Sequence, residues 1–564
     1  MTSYAPHSFR YSESISDGPQ RVTPATAASV KFPLYIAGSD NSTIRSTSPS
    51  PTESLESPSS VTPKVCEYIH DTEDIVSWDG PNDPENPRNW TKRRRWVVTL
   101  VVSLYTFISP VASSISSPAL PAISNDLNIP SGSILENMSL SIFVLAYALG
   151  PLIWGPLSEL FGRLAILQIS NIWFLIFNTL CSLSKTPAQL LIFRFLAGFG
   201  GAAPQSLGGG VVGDLWSPEE RAMAMSIYSL APLVGPSTGP LIGGWIAERA
   251  RWQWVFWSVS IADGLLQVAG FIFIRETYAP ELLKRKARTL RKVTGNQKLR
   301  SAFERPDRHW SAVMARGMIK PLAFLVTEPI VQVFALYMAV LYGVLYLSLT
   351  SFVKVFTHQY GQSTGIAGIH YLAIALGSTV GGQVGARALN VVYRKLKAKN
   401  GGIGTPEMRL PLLMVSATTL PIGLLLYGWT VNAQMFWLIP DLGVFIFSIG
   451  IGGNWTCIQT YLVDNYALYA ASAIAGVASF RAFAGFGFPL FADKMYGTLG
   501  DGWGNSILAL ICLVIGCPAP FIFYRYGPRL RAWSKAASVE QQTTETKIAL
   551  DSSDSLDDPR SIDV

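Results

Sequence analysis

A helix that crosses a bilayer needs about 20 mostly apolar residues, because its backbone N–H and C=O groups can find no water there. Twelve such runs follow one another in this 564-residue chain, at about 97–119, 135–157, 164–184, 190–213, 222–247, 254–275, 325–351, 366–390, 409–430, 436–462, 471–496 and 505–526. Nothing else in the sequence constrains the fold as strongly. Charged residues are 14% of the chain and apolar residues 49%, whereas soluble domains carry roughly 25% charged residues. A soluble chain of this length would divide into domains, each with its own charged surface. The pattern predicts an all-α membrane protein of twelve transmembrane helices, and 16 Trp suit its two membrane–water interfaces.

The runs group as six, a charged stretch, then six. Residues 1–90 are rich in Ser, Thr and Pro, without an apolar run long enough for a signal peptide, and read as a disordered tail. Within them, Trp78 to Trp90 is dense in Asn, Asp and Pro and reads as a chain of turns. A six-helix bundle over 91–276, a basic linker over 277–324, a second bundle over 325–528 and a tail over 529–564 complete the division. Arg93, Arg94 and Arg95 precede the first run, Lys284 to Lys286 lie in the linker, Arg394 to Lys399 follow the eighth run, and Arg525, Arg529 and Arg531 follow the twelfth. All fall on one side of a twelve-span chain, which predicts that both termini are cytosolic. The linker reads as a solvated helix lying on anionic lipid. Nucleic acid is not an expected partner. The sequons at Asn41, Asn89, Asn137 and Asn454 are poorly placed for glycosylation on this topology.

Enzyme chemistry finds no support. The five cysteines form no C-x-x-C pair, so neither metal nor thiol redox chemistry is indicated. Gly235 to Gly239 and Gly361 to Gly365 match G-x-S-x-G, but one lies inside an apolar helix and the other in a short loop. Gly198 to Ala203 mimics a dinucleotide fingerprint with no strand before it; close helix packing explains its small residues better. No phosphate-binding loop is present, which excludes ATP-driven transport by this chain alone. No cofactor is expected.

Four features carry information. The loop after the second run reads Gly155-Pro156-Leu157-Ser158-Glu159-Leu160-Phe161-Gly162-Arg163, a tight turn with two charges. Arg194 sits one turn inside the fourth run, where a charge is costly and marks function by default. The fifth run carries Gly235, Gly239, Pro240, Gly243 and Gly244, whose spacing gives a smooth face for a neighbouring helix. Asp214 and Asp464 end the fourth and tenth runs, and Gly239-Pro240-Leu241 has a counterpart in Phe488-Pro489-Leu490. This echo, at an offset of about 250 residues, suggests two related halves.

These residues resemble the major facilitator superfamily in its loop 2–3 motif (Gly155 to Arg163), span 4 motif (Arg194 to Gly198) and antiporter motif (Gly235 to Gly244). More narrowly, Trp78 to Trp90, Arg275 to Pro280, Lys284 to Ala287, Tyr461 to Asn465, Ala471 to Ala473 and Gly485 to Phe491 resemble the twelve-span fungal drug:proton antiporters, over about residues 78–530. Glu159 departs from the usual Asp, and Leu160 and Leu164 stand where basic residues are common.

The resemblance implies a monomeric exporter of drugs, toxins or secondary metabolites, in the plasma membrane or else the vacuolar membrane. Two bundles rock about a central site while protons flow the other way. It implies a cytosolic gate of Gly155, Glu159, Gly162, Arg163, Asp214 and Asp464. Proton-coupling candidates are Arg194, Asp263 and Asp441, with Glu136 and Glu328 less well placed. Candidate substrate-cavity residues are Tyr337, Tyr342, Tyr346, His370, Tyr371, Asn454 and Arg481, an aromatic set suited to amphipathic organic compounds. Alternatives within transport are a polyamine exporter and a proton-symport nutrient importer; outside it, a non-transporting membrane sensor. A leucine at Gly239 is expected to block transport at normal surface levels, and an alanine to be milder.

With both termini cytosolic, protease added outside intact cells should spare epitope tags at either end. Loss of one tag would break the even-span topology.

Overall fold

The computed structural model describes residues 75–533, apart from 302, 305–309, 403, 467 and 468. They belong to one compact unit, His70–Val564. Most of both expected tails lies outside the described residues, together with Cys66, His7, His70 and His309.

Twelve long helices carry the fold. They are α1 (Lys92–Ser114), α2 (Ile134–Phe161), α3 (Arg163–Ser182), α4 (Pro187–Leu215), α5 (Pro218–Arg249) and α6 (Gln253–Phe273). The second half supplies α7 (Pro329–His358), α8 (Tyr371–Lys399), α9 (Leu410–Asn432), α10 (Leu438–Asn465), α11 (Ala470–Leu490) and α12 (Ala492–Gly516). Among the described residues, 11 helical stretches are long and apolar enough to cross a membrane. The exception is α5, long enough at 32 residues but diluted by Gly, Pro and Ser.

The halves meet reciprocally. The second helix of the first half packs on the fifth of the second, α2 on α11. The fifth of the first packs on the second of the second, α5 on α8. An interface of two equivalent contacts is what two related halves facing each other across a pseudo-two-fold produce. Below, the basic face is the one where α1 begins, and the far face is the one where it ends.

The seventh helix starts later than its apolar run. Helix Trp310–Thr327 comes first and the chain breaks at Glu328, whose φ of −107° and ψ of 103° are extended. Pro329 follows, and the residue before a proline is pushed out of the α region. Helix Trp310–Thr327 leans on α2 and α11, one from each half, with Gly317 against Pro156 and Gly476 facing the Pro321 carbonyl.

The segment before α1 is more structured than its composition suggests. Asp83 accepts hydrogen bonds from the backbone N–H groups of Asp79 (2.9 Å) and Glu85 (2.8 Å), which hold its carboxyl below the usual range. Lys286 of the linker helix Ala279–Thr294 reaches Asp79 at 2.7 Å and Asp83 at 3.2 Å. Ile75–Val76 pairs in parallel with Arg300–Ser301 beyond that helix. Residues 75–90 therefore form a clasp of turns on the linker instead of the end of a loose tail. At the other end, helix Pro518–Trp533 runs past the expected boundary at 528.

The glycines of α5 face α1 in their own half. A Cβ on Gly235 would lie 2.7 Å from the Pro110 side chain, and one on Gly239 would lie 2.5 Å from the Val111 carbonyl and strike Ser114. On Gly243 it would strike the Ile115 carbonyl. Gly244 instead meets the second half, 2.8 Å from the Thr364 carbonyl. The contact at Gly239 is with backbone, which has nowhere to move. Overpacking of this kind costs about 1–3 kcal/mol.

This contact revises the expectation that Gly239→Leu keeps normal surface levels, while alanine remains the milder change. Gly239→Ala should lower both the unfolding temperature of the purified protein and its transport, and Gly239→Leu should prevent accumulation in the membrane. Normal stability in Gly239→Ala would show that α1 yields at this contact.

Candidate functional site

Arg194 is completely buried and has no carboxylate partner among the described residues. Its guanidinium donates to four backbone carbonyls: Nε to Ser139 (3.1 Å), Nη1 to Ala112 (2.8 Å), and Nη2 to Ser113 (2.9 Å) and Leu140 (3.2 Å). Ala112 and Ser113 belong to the last turn of α1, whose carbonyls have no partner within the helix. The negative end of the helix dipole faces the cation there. The rings of Phe143 and Phe256 lie over it at 4.8 and 5.7 Å. Arg194 thus ties α1 and α2 to α4.

The other two coupling candidates lie in separate places. Asp263 of α6 is fully buried and accepts 3.1 Å from Asn171 Nδ2, while its Oδ2 has no partner. Around it, Asn171 and Tyr105 donate to Gln267, which donates to Gln168. This neutral polar cluster joins α1, α3 and α6 inside the first half. Asp441, in the first turn of α10, lies 2.6 Å from His370 Nδ1. The His370 ring stacks on Phe356 at 3.7 Å, and its Nε2 lies 2.7 Å from Gln362 Oε1. Neither carboxylate bonds to Arg194. Glu136 accepts from the Gly132 N–H, and Glu328 accepts from the Tyr466 hydroxyl at 3.1 Å.

Where the halves meet, an aromatic and basic cluster forms. The Tyr346 hydroxyl lies 3.0 Å from Ser113 Oγ across the junction. Its ring packs 4.9 Å from that of Tyr342. Arg481 of α11 lies 4.8 Å from the Tyr342 ring and 4.0 Å from that of Trp455. A Cβ on Gly485 would sit 2.8 Å from Tyr342 and 3.0 Å from Val144 of α2, so this cluster adjoins the contact between halves. On the other side, the Tyr147 hydroxyl lies 2.7 Å from Ser109 Oγ.

Three of the expected cavity residues point elsewhere. The Tyr337 hydroxyl donates to Asn454 Oδ1 at 2.8 Å, and Asn454 donates to the Gly450 carbonyl of its own helix. Tyr371 donates to the Leu349 carbonyl. All three fill gaps between helices of the second half, where a buried hydroxyl or amide needs a partner. His370 lies at the far face with Asp441. Tyr342, Tyr346 and Arg481 are the candidates brought together.

The charged residues near the basic face pair within their own halves. Arg163 lies 3.6 Å from Asp214, and Arg409 lies 2.8 Å from Asp464. Gly155 opens the last two turns of α2, with Glu159 beyond it. Gly162 has φ +90°, and a Cβ there would strike the Glu276 carboxylate, which receives the N–H groups of Arg163 (3.0 Å) and Leu164 (3.2 Å). Sequence reasoning gave Glu276 no role. Its signal was an acidic residue just past an apolar run, and such a carboxylate is suited to a helix N-terminus.

Among the described residues, contacts between the halves lie at the far face and also nearer the basic face, where Ser226 of α5 donates to Gln383 of α8 at 2.6 Å. Asn137 of α2 donates across the junction to Asp493 of α12 at 2.9 Å, and Lys354 of α7, in the same half as Asp493, reaches both its oxygens at 2.8 and 2.9 Å. Glu248 at the end of α5 accepts from Ser363 Oγ (2.9 Å) and the Gly365 N–H (2.7 Å). Ser117 donates to the Leu349 carbonyl at 2.7 Å. None of these partners is near another in sequence, so no local pattern marks them.

Asp493→Asn removes the charge that Lys354 and Asn137 share. It should open the far face, so that a cysteine at Ser117→Cys reacts several-fold faster with an impermeant thiol reagent. Unchanged labelling would leave Glu248 as the latch that matters.

Comparison with known proteins agrees with this architecture. The Major Facilitator Superfamily profile matches residues 102–489. The efflux pump vrtL of Penicillium aethiopicum is 46% identical over 82% of this chain and 92% of its own. The efflux pump radE of Floropilus chiversii is 41% identical over 81% of this chain and 85% of its own. Among solved structures, the xylose transporter XylE from E. coli, in a partially occluded inward-open conformation, superposes with a TM-score of 0.55 at 16% identity, covering 77% of this chain and 99% of that one. A bacterial homologue of the human lysosomal transporter Spinster, inward-facing and unoccupied, gives 0.56 at 16% identity, over 78% and 99%.

Proposed function

Because the chain belongs to the major facilitator superfamily, we propose that it is a proton-driven exporter of amphipathic small organic molecules. The observation that carries this reading is the cluster of Ser113, Tyr346, Tyr342, Arg481 and Trp455 at the junction of the halves. A mostly aromatic site with few polar groups suits flat, amphipathic substrates. Relatives named as efflux pumps, matched over four fifths of the chain, favour the outward direction. Asn137 with Asp493 and Glu248 with Ser363 join the halves at the far face. Releasing them while closing the basic face exposes the same site to the other side. Arg163, Asp214 and Asp464 sit where that closure would form. The basic face is cytosolic on the charge distribution, and the plasma membrane is the expected location.

Proton coupling needs a group that gains and loses a proton as the halves move. Asp263 suits it: a fully buried carboxyl with amide neighbours, no cation in contact and one oxygen without a partner. Asp441 is less suited, because His370 Nδ1 already stands against its carboxyl at 2.6 Å. A polyamine substrate fits poorly, since the central cluster offers an arginine and no carboxylate.

In proteoliposomes, transport should collapse when the proton gradient is dissipated, with ATP making no difference. Asp263→Asn should cut gradient-driven transport by about a hundredfold or more, the usual scale for losing a proton-transfer group, while substrate exchange continues. Gradient-independent transport would end the coupling proposal, and an active Asp263→Asn would move it to another group.

A further inference from the structure

The two buried arginines of the central region are treated very differently by the fold. Arg194 has four carbonyl acceptors. Arg481 is 9% exposed, its Nε and Nη1 are buried without a hydrogen-bond acceptor, and among the described residues it has no ion pair. Ring faces are all that contact its charge: Tyr342 at 4.8 Å and Trp455 at 4.0 Å. Beyond Tyr342, the Tyr346 ring lies 4.9 Å from that of Tyr342. Ring faces stabilise a cation but leave its N–H groups unbonded. A buried guanidinium with free donors is costly, and a fold that merely needed bulk here could use an apolar residue.

We propose that Arg481 binds the acidic group of the transported substrate, and that this substrate is an aromatic carboxylic acid or an acidic phenol. This rests on the reading of the central cluster as the transport site. The guanidinium fork matches a carboxylate in two parallel charge-assisted hydrogen bonds, which satisfies donors that the protein leaves open. The Tyr342 and Trp455 rings lie against the guanidinium carbon, and Nε and Nη1 have no acceptor in the protein that a ligand would have to displace. Their rings, with Tyr346 beside them, give the flat body of the substrate a surface to stack on. The hydroxyls of Tyr147 and Ser109 supply polar contacts on the opposite wall. Ligand binding at this point bridges α11 of one half and the α1–α2 side of the other, the junction that alternating access moves.

The test uses the full chain in nanodiscs in chloride-free gluconate buffer and three probes of one shape: 2-naphthoate, its neutral methyl ester, and 2-naphthyltrimethylammonium. Calorimetric titration should show naphthoate binding at least about tenfold tighter than the ester, the scale of one charge-assisted hydrogen bond, with the cation weakest. Arg481→Gln should erase that preference and leave ester affinity within about twofold, while Arg481→Lys should recover part of it. The inference is overturned if naphthoate does not bind, if the ester or the cation binds as tightly, or if Arg481→Gln weakens all three alike, which marks a purely structural role. It is also overturned if added chloride abolishes naphthoate binding at equal ionic strength, which would make Arg481 a halide site. Binding is read without a gradient. Export that survives an uncoupler would therefore sink proton coupling and leave this preference standing, and loss of the preference would leave proton-driven export standing.

Discussion

The end of α1 must be capped inside the protein, and much else depends on how that is done. Its last carbonyls, at Ala112 and Ser113, lie where water is scarce, and an unsatisfied carbonyl there is costly. Arg194 supplies the donors and, through Ser139 and Leu140, binds α2 with the same group. On its other side α1 lies against the glycine face of α5, close enough that no Cβ fits at Gly239 or Gly243. With α1 fixed twice, Ser113 is held where it meets Tyr346 of the opposite half. One arginine and one run of glycines therefore set the position of the wall that faces the site.

This gives the span 4 arginine a different meaning from the one its sequence suggests. A lone intramembrane charge is costly unless something balances it. The structure balances Arg194 with carbonyl dipoles and leaves Asp263 among amides. Keeping the two charges apart leaves Asp263 outside any ion pair among the described residues. An arginine salt bridge would favour its charged form throughout.

Helix number, the division into halves and the glycine face of α5 were all legible, because each is a local property of composition or spacing. The site was legible only in part. Tyr337, Tyr342, Tyr346 and Tyr371 share one apolar character in sequence, and periodicity does not say which face of a fully buried helix turns toward the other half. Tyr342 and Tyr346 lie at the junction of the halves, and Tyr337 and Tyr371 hydrogen-bond within the second half. The far-face latches were invisible for another reason. Asn137 and Asp493 are 356 residues apart, and neither is unusual beside its neighbours. The clasp of residues 75–90 was read as turns, which it is, but a carboxylate such as Asp83 that gathers two N–H groups and a lysine is not distinguishable by composition from a solvated one.

Among the described residues, an arginine with unbonded donors at the centre and an acid with one unbonded oxygen in the first half suit the proposed exchange of a proton for an anion. Each unit charge that moves through the membrane potential gains roughly 2.3 kcal/mol per 100 mV. A proton entering and an anion leaving a cell that is negative inside move charge in the same direction, so a one-for-one exchange gains about twice that. A neutral substrate would gain half as much, and a singly charged cation would gain nothing from the potential. Electrostatics at Arg481 and energetics across the membrane thus favour the same substrate charge. The two arise independently: one from donors left open in the protein, the other from the field that the protein spans.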